Sequence, residues 1–151
     1  MLVRDGIAIR IPAGWEGKLF RLPGTGPTLH AANFPLPPQD GNFGAGATST
    51  MADDGVFIAL VEYERELAGT GLFAARGVPV PLHPRDVSAR AMQRRVPGRF
   101  GVQRFFTEAG RAFCLYAVIG SKPSRDGLIR RANGLLSDLR IDPAPVPPEG
   151  G

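Results

Sequence analysis

The chain has only one cysteine among its 151 residues, Cys114, and this scarcity excludes an internal disulfide. No segment approaches the roughly 20 apolar residues that a membrane-spanning helix needs. The opening stretch MLVRDGIAIRIP also lacks the apolar core of a secretory signal peptide. These three absences predict a protein without a membrane span that works in the reducing cytoplasm.

Histidine and lysine are scarce as well, with two residues of each type. His30 and His83 lie far apart, and no HxH, HxxxH or CxxC spacing accompanies them, so no metal site is predicted. No lysine follows the glycine-rich stretch GNFGAGATST at 41–50, as a phosphate-binding loop would require. The sequence therefore predicts neither a metal nor a cofactor, and 41–50 is interpreted as a loop.

The remaining reactive groups favour a structural interpretation. Cys114 lies in AFCLYAV, the most apolar stretch of the chain, and burial raises the pKa of a thiol. Glu62 and Glu64 alternate with Tyr63, a pattern typical of the solvated end of a strand. We therefore predict no catalytic residue and expect that the protein is not an enzyme.

Glycine and proline are abundant, with 20 and 15 residues, which favours a strand-rich fold with many turns. Ile7, Ile9 and Ile11 alternate with smaller or polar residues, which predicts a strand, and PAGW at 12–15 predicts a turn into a second strand. Further elements follow from the same patterns. Strands are predicted at 15–22, 28–34 and 56–64, and short helical segments at 48–52 and at 86–96, the latter with Ser88 as its cap.

The last third of the chain carries the clearest signals. Residues 100–120 predict a hairpin that turns at 108–110, with a second strand that is apolar on both faces and belongs inside a covered sheet. An amphipathic helix is expected after Ser124, its buried stripe formed by Leu128, Ile129, Ala132, Leu135, Leu136 and Leu139. The segment LRI at 139–141 would add an edge strand. The predicted fold is a single α+β domain over 1–141, with a largely antiparallel sheet of about six strands and a C-terminal amphipathic helix packed on it, followed by a disordered Pro-rich tail at 142–151.

Three stretches together resemble the PsbP-like fold family: IRIPAGW at 9–15, the strand pair at 100–119, and NGLLSDLRI at 133–141. This family includes extrinsic photosystem II proteins, a Ran-interacting import factor and actinobacterial proteins of unknown role. The resemblance implies an antiparallel sheet between helices, and a role in binding or assembly. It carries no functional residue over to this chain, because the matching stretches form turns and core.

Arginine supplies sixteen of the eighteen basic residues, a skew that is typical of codon bias in a GC-rich genome. The densest cluster nevertheless falls within 85–111, where seven arginines stand against two acidic residues and three phenylalanines are interleaved. We expect Arg94, Arg95, Arg99 and Arg104 to contact a partner, most simply an acidic protein. The predicted function is that of a non-catalytic cytoplasmic binding or accessory protein. The alternatives are a nucleic-acid-associated protein that uses the same region, and an enzyme with a pocket framed by 35–55 and 77–85.

Overall fold

Residues 1–144 are described by a computed structural model of the chain, and they form two antiparallel sheets with one long helix. The strands are β1 (Leu2–Arg4), β2 (Ile7–Ile9), β3 (Glu16–Arg21), β4 (Pro27–Ala32), β5 (Val56–Glu62), β6 (Phe100–Glu108), β7 (Arg111–Ile119) and β8 (Arg140–Ile141). The helices are α1 (Ala45–Thr50) and α2 (Arg125–Leu136), together with single 3-10 turns at Arg65–Leu67, Gly71–Phe73, Pro84–Asp86 and Ala89–Ala91. The predicted α+β class is confirmed. The strands divide between two sheets, where the sequence suggested one.

The main sheet has five strands in the order β3-β4-β5-β7-β6. Its predicted hairpin is confirmed, because β6 and β7 pair along their whole length and turn at Ala109 and Gly110, both at positive φ. Two consecutive residues at positive φ match the right-handed twist of the flanking strands. All nine residues of β7 are buried, as expected for a strand that is apolar on both faces.

The opening of the chain folds differently from the predicted hairpin. β2 pairs with β1 on one side and with β8 on the other, forming a separate three-stranded sheet, while β3 joins the main sheet. The reason is Asp5-Gly6, whose positive φ values of 52° and 78° make the tight turn between β1 and β2. The Pro12–Trp15 turn, closed by a bond from the Trp15 amide to the Pro12 carbonyl, then leads from one sheet to the other.

One face of the main sheet packs against α2 and the three-stranded sheet. Ile7 and Ile9 are completely buried there. The predicted apolar stripe is buried as well, except for Leu139, which lies beyond the end of α2 and is half-buried. Asn133 of α2 bonds both the amide and the carbonyl of Leu82, at 2.7 and 2.9 Å, and so fastens the segment 78–87 to the helix. Ser124 precedes α2 as expected, but its side chain makes no capping hydrogen bond.

The opposite face is covered by the segment 33–51 and by the 3-10 turns other than Pro84–Asp86. The helical turn expected near residue 48 is present as α1, whose first free amides, those of Gly46 and Ala47, donate to the Asp40 carboxylate at 3.0 Å each. An anion-binding position at this helix end is therefore already occupied by Asp40. The glycine-rich stretch 41–50 thus contains a helix rather than only a loop, and it offers no cradle for phosphate.

The predicted helix over 86–96 does not form. Ser88 exchanges two backbone hydrogen bonds with Gly101, at 2.9 and 3.0 Å, and its extended conformation interrupts a continuous helix. Within that range only the single 3-10 turn Ala89–Ala91 is present, and the turn Pro84–Asp86 ends where the range begins. The Ser88 hydroxyl still acts as a cap, because it accepts a bond from the Arg90 amide at 3.1 Å.

Residues 145–151 of the predicted tail lie outside the described residues. At the start of that predicted tail, Asp142 donates its amide to the Gly6 carbonyl at 2.8 Å and accepts a bond from Arg111 at 2.8 Å. The hydrogen bonding of the domain therefore extends at least one residue past position 141.

Candidate interaction surface

The four arginines expected to bind a partner fall into two classes. Arg94 and Arg95 are exposed, and no ion pair involves them within residues 1–144. Arg99 is mostly buried and bonds the carbonyls of Met51 and Gly120, with Asp53 at 3.2 Å. Arg104 is half-exposed and pairs with Asp86 at 2.7 Å. The structure therefore leaves Arg94 and Arg95 available to a partner, whereas Arg99 and Arg104 are engaged within the fold.

Arg111 and Glu62 form a buried ion pair. The guanidinium and the carboxylate meet through two hydrogen bonds of 2.9 and 2.7 Å, and the two side chains are 2% and 9% exposed. The interpretation of Glu62 as the solvated end of a strand was wrong, and Arg111, although it belongs to the arginine-rich cluster at 85–111, is not a surface cation. Neither side chain is available for contact with a partner.

A groove lies on the sheet face opposite to α2, and Gln93, which precedes Arg94 and Arg95 in the chain, is part of its lining. Its floor is a triangle of aromatic rings, Tyr63, Phe73 and Phe105, with centroids 5.3 to 6.3 Å apart. Leu72 is 70% exposed at its margin and Leu67 is 39% exposed. The cavity measures about 520 Å³ and is completed by Thr70, Gly71, Gln93 and Gln103. Such a combination of open apolar side chains is uncommon on a surface that contacts water alone.

The walls of this groove are fixed by hydrogen bonds. Thr107 of β6 holds the first wall, because its hydroxyl donates to the Phe73 carbonyl at 2.6 Å and accepts from the Gly69 amide at 2.8 Å. The Tyr116 hydroxyl holds the second wall, where it accepts a bond from the Gln93 amide at 2.9 Å. Both anchors come from main-sheet strands, so the groove is an integral part of the fold.

Exposed cations neighbour one of the lining residues, Gln93, in the chain. The lining residues themselves carry no formal charge. Arg94 and Arg95 follow Gln93 directly in the chain, and the exposed Arg90 precedes it. An apolar floor beside exposed cations complements an acidic partner that offers an apolar side chain.

Sequence reasoning found the cations but missed the groove. The segment 65–77 gave no periodic signal, and the exposed Leu67 and Leu72 within it were not singled out. The one available signal was the pair of leucines inside a glycine-containing, non-periodic segment, where no regular element explains their presence.

His30 is completely buried. Its Nε2 lies 2.7 Å from the Asn42 carbonyl oxygen, while Nδ1 has no partner within the described part of the chain. The ring packs edge-on against Phe20 and Phe57 at 4.8 and 5.0 Å. Burial lowers its pKa from 6.5 to about 4.

Two residues that were considered as candidates and not assigned a role are placed as follows. Cys114 is buried in β7, and burial raises the pKa of its thiol to about 12, so it stays protonated and unreactive near neutrality. His83 is exposed in the proline-rich segment. Among residues 1–144, no group of three or more His, Cys, Asp or Glu side chains is placed to hold a metal ion.

A second cavity of about 620 Å³ lies between the PGTGP turn at 23–27 and the end of β5. Charged groups of both signs line it, among them Arg21, Arg65 and Glu64, and Tyr63 separates it from the aromatic groove. Its Glu62 carboxylate is already held by Arg111. The cavity therefore has mixed polarity, and no side chain in it is held in a geometry that points to a reaction.

No protein-family model, curated protein or solved structure matches the chain, and its resemblance to the PsbP-like fold family stays a prediction. Within residues 1–144 the structure contains no helix that is long and apolar enough to cross a bilayer.

Proposed function

We propose that this chain is a non-catalytic binding protein whose aromatic groove and neighbouring cations receive an acidic protein partner. The observation that carries the proposal is the exposure of Leu72 and Leu67 above the rings of Tyr63, Phe73 and Phe105. Burying such a leucine side chain in a partner contributes about 1.5 to 3 kcal/mol. The groove would supply affinity, while Arg94 and Arg95 would steer an acidic partner toward it.

The distribution of the arginines favours protein over nucleic acid. Arg99, Arg104 and Arg111 all bind groups within the fold. Two of the interleaved phenylalanines, Phe100 and Phe106, pack in the core face of the sheet. Phe105 alone of the three lines the groove, so the arginine-rich segment offers one ring rather than a row of rings to stacked bases.

Affinity capture from a lysate of the native host, run with and without prior digestion of nucleic acid, tests the proposal. The groove variant is Leu72→Asp, and Val3→Asp is its matched control, because Val3 is 69% exposed on β1. The cation variant is Arg94→Glu with Arg95→Glu. Its matched control is Arg130→Glu with Arg131→Glu, two adjacent exposed cations on α2.

We expect at least one acidic protein to be captured by the wild type and by both control variants, and to be lost with both test variants. Added salt should weaken its capture by screening the arginines. A partner retained equally by all five proteins would contradict the proposal. So would capture that disappears when nucleic acid is digested, since that result would favour the nucleic-acid alternative.

A cytoplasmic location and PsbP-like membership belong to the same proposal. The single buried Cys114 supports a reducing compartment. The antiparallel main sheet with α2 packed across it supports the family resemblance at the level of architecture. Both would be tested by locating the tagged protein in host cells and by an experimental structure.

A further inference from the structure

The outer edge of β6 is paired at its two ends and open between them. At one end Gly101 exchanges hydrogen bonds with Ser88, and at the other Thr107 bonds Ala75 and Gly77, at 2.8 to 3.0 Å. In an antiparallel strand, alternate residues direct their amide and carbonyl groups to the same side. Gln103 and Phe105 therefore point their backbone groups outward, like Gly101 and Thr107.

These outward groups lack backbone partners in the part of the chain that the structure describes. No backbone hydrogen bond reaches the amide of Gln103 or either backbone group of Phe105, and the Gln103 carbonyl is met only by the Arg104 guanidinium at 2.9 Å. The segment 78–87, which connects the two paired ends, turns toward α2 through Leu82. It therefore departs from the sheet and leaves the middle of the edge uncovered.

The open edge and the aromatic groove are the same place. Gln103 and Phe105, whose backbone groups are free, also line the cavity with their side chains. Gly101 and Thr107 are about 20 Å apart at the rise of an extended strand, which leaves room for a strand of a few residues between the two paired ends. Alternate side chains of such a strand would fall into the groove, beside Leu72.

We propose that the partner binds by strand addition: an extended acidic segment pairs with β6 at Gln103 and Phe105 and places alternate apolar side chains in the groove. This inference rests on the proposed function and specifies the form of its ligand. In this mode of binding, main-chain hydrogen bonds supply affinity, and the groove supplies specificity by contacting every second side chain of the added strand. Arg94 and Arg95, which follow Gln93 in the chain, favour a segment of acidic character.

The test uses a phage-displayed library of random linear peptides selected on the full-length chain. Peptides that bind are synthesised and measured against Gln103→Pro and Gln103→Ala. Proline at 103 removes an outward amide that β7 does not use, so the ladder between β6 and β7 is preserved. Alanine keeps the amide and removes only the side chain, which makes it the matched control.

We expect the selected peptides to share apolar residues at alternate positions and to be acidic overall. Gln103→Pro should weaken their binding about tenfold or more, and Gln103→Ala less than about threefold, because the lost bond leaves a peptide acceptor unpaired. Methylating the peptide amides one at a time should weaken binding at every second position only. That measurement needs no change in the protein, so it decides the question even if the proline variant unfolds.

Amide hydrogen exchange identifies the occupant of the edge. In the dilute free protein the Gln103 and Phe105 amides should exchange quickly while Arg104 and Phe106 are protected, and peptide should slow the first pair. Protection of the Gln103 and Phe105 amides in the absence of peptide overturns the proposal. If the amides are protected at every protein concentration, the chain covers its own edge. If they are protected only at high protein concentration, a second copy of the chain covers it.

The two proposals fail separately. One outcome is that the peptides fail to bind the Leu72→Asp variant and yet bind Gln103→Pro normally and tolerate methylation of their amides. That result would support the groove as the binding site and overturn strand addition. A library that yields no peptide sensitive to Leu72→Asp would overturn the groove itself.

Discussion

Acid should destabilise this fold through His30. Because Nε2 lies against the Asn42 carbonyl, the neutral ring carries its hydrogen on Nε2 and leaves Nδ1 bare. Protonation would place a charged N–H at Nδ1, between two aromatic rings, with no acceptor among the described residues. Burial is the main cause of the lowered pKa, and Lys18 adds to it, while the Asn42 carbonyl and Asp40 oppose it.

The size of the effect follows from the two pKa values. The unfolded chain takes up a proton near the ordinary pKa of 6.5, whereas folded His30 does so only near 4. Between these values the unfolded state binds more protons, so the free energy of unfolding falls as the pH falls. From about pH 7.5 to about pH 5 the expected loss is about 2 kcal/mol, and it approaches about 3 kcal/mol near pH 4.

Urea denaturation at these two pH values, with matched variants, measures the loss. His30→Gln removes the titrating ring but keeps a donor for the Asn42 carbonyl, and His83→Gln changes the exposed histidine as a control. Wild type and His83→Gln should each lose about 2 kcal/mol more than His30→Gln between the two pH values. Equal losses in wild type and His30→Gln would refute the reasoning, since they would mean that the ring accepts its proton without unfolding.

Three further outcomes are expected. A thiol reagent should label Cys114 only after denaturation, and rapid labelling of the native protein would contradict its burial. Arg111→Met should lower the free energy of unfolding in urea by about 3 to 5 kcal/mol, because it leaves Glu62 charged and buried. Adding Glu62→Met should restore most of that free energy, and no restoration would mean that the loss does not come from the unpaired Glu62. Arg99→Ala should lower the free energy of unfolding by about 1 to 3 kcal/mol through its lost hydrogen bonds, whereas Arg94→Ala should change it by no more than about 0.5 kcal/mol. Equal losses would contradict the assignment of Arg99 to the fold.

The elements that sequence reasoning predicted well depend on local signals. The β6–β7 hairpin follows from two strand-forming stretches on either side of a turn at Ala109-Gly110, and α2 from a stripe with helical spacing. The segment 86–96 has a helical composition, but Ser88 finds its backbone partner at Gly101, and that preference is invisible within the segment itself. Strand partners are chosen in three dimensions, so the pairing of β2 with β8 had no local signal either.

The candidate surface shows the same division. The exposure of Arg94 and Arg95 follows from their polar surroundings. The partners of the other cations lie far away in sequence: Asp53 is 46 positions from Arg99, and Glu62 is 49 positions from Arg111. Composition reveals that a region is basic, but only the fold shows which of its charges are neutralised from elsewhere.

The pairing of β2 with β8 has a kinetic consequence. Ile7 lies opposite Ile141, so the three-stranded sheet closes a loop that contains almost all of the described chain. Closing such a loop lowers the entropy of the chain before the β2–β8 contact can stabilise the fold, and long-range pairings of this kind slow folding. During synthesis, β2 cannot pair with β8 until residue 141 has left the ribosome. The main sheet from β3 to β7 can assemble earlier, so the β2–β8 contact is the step that completes the domain.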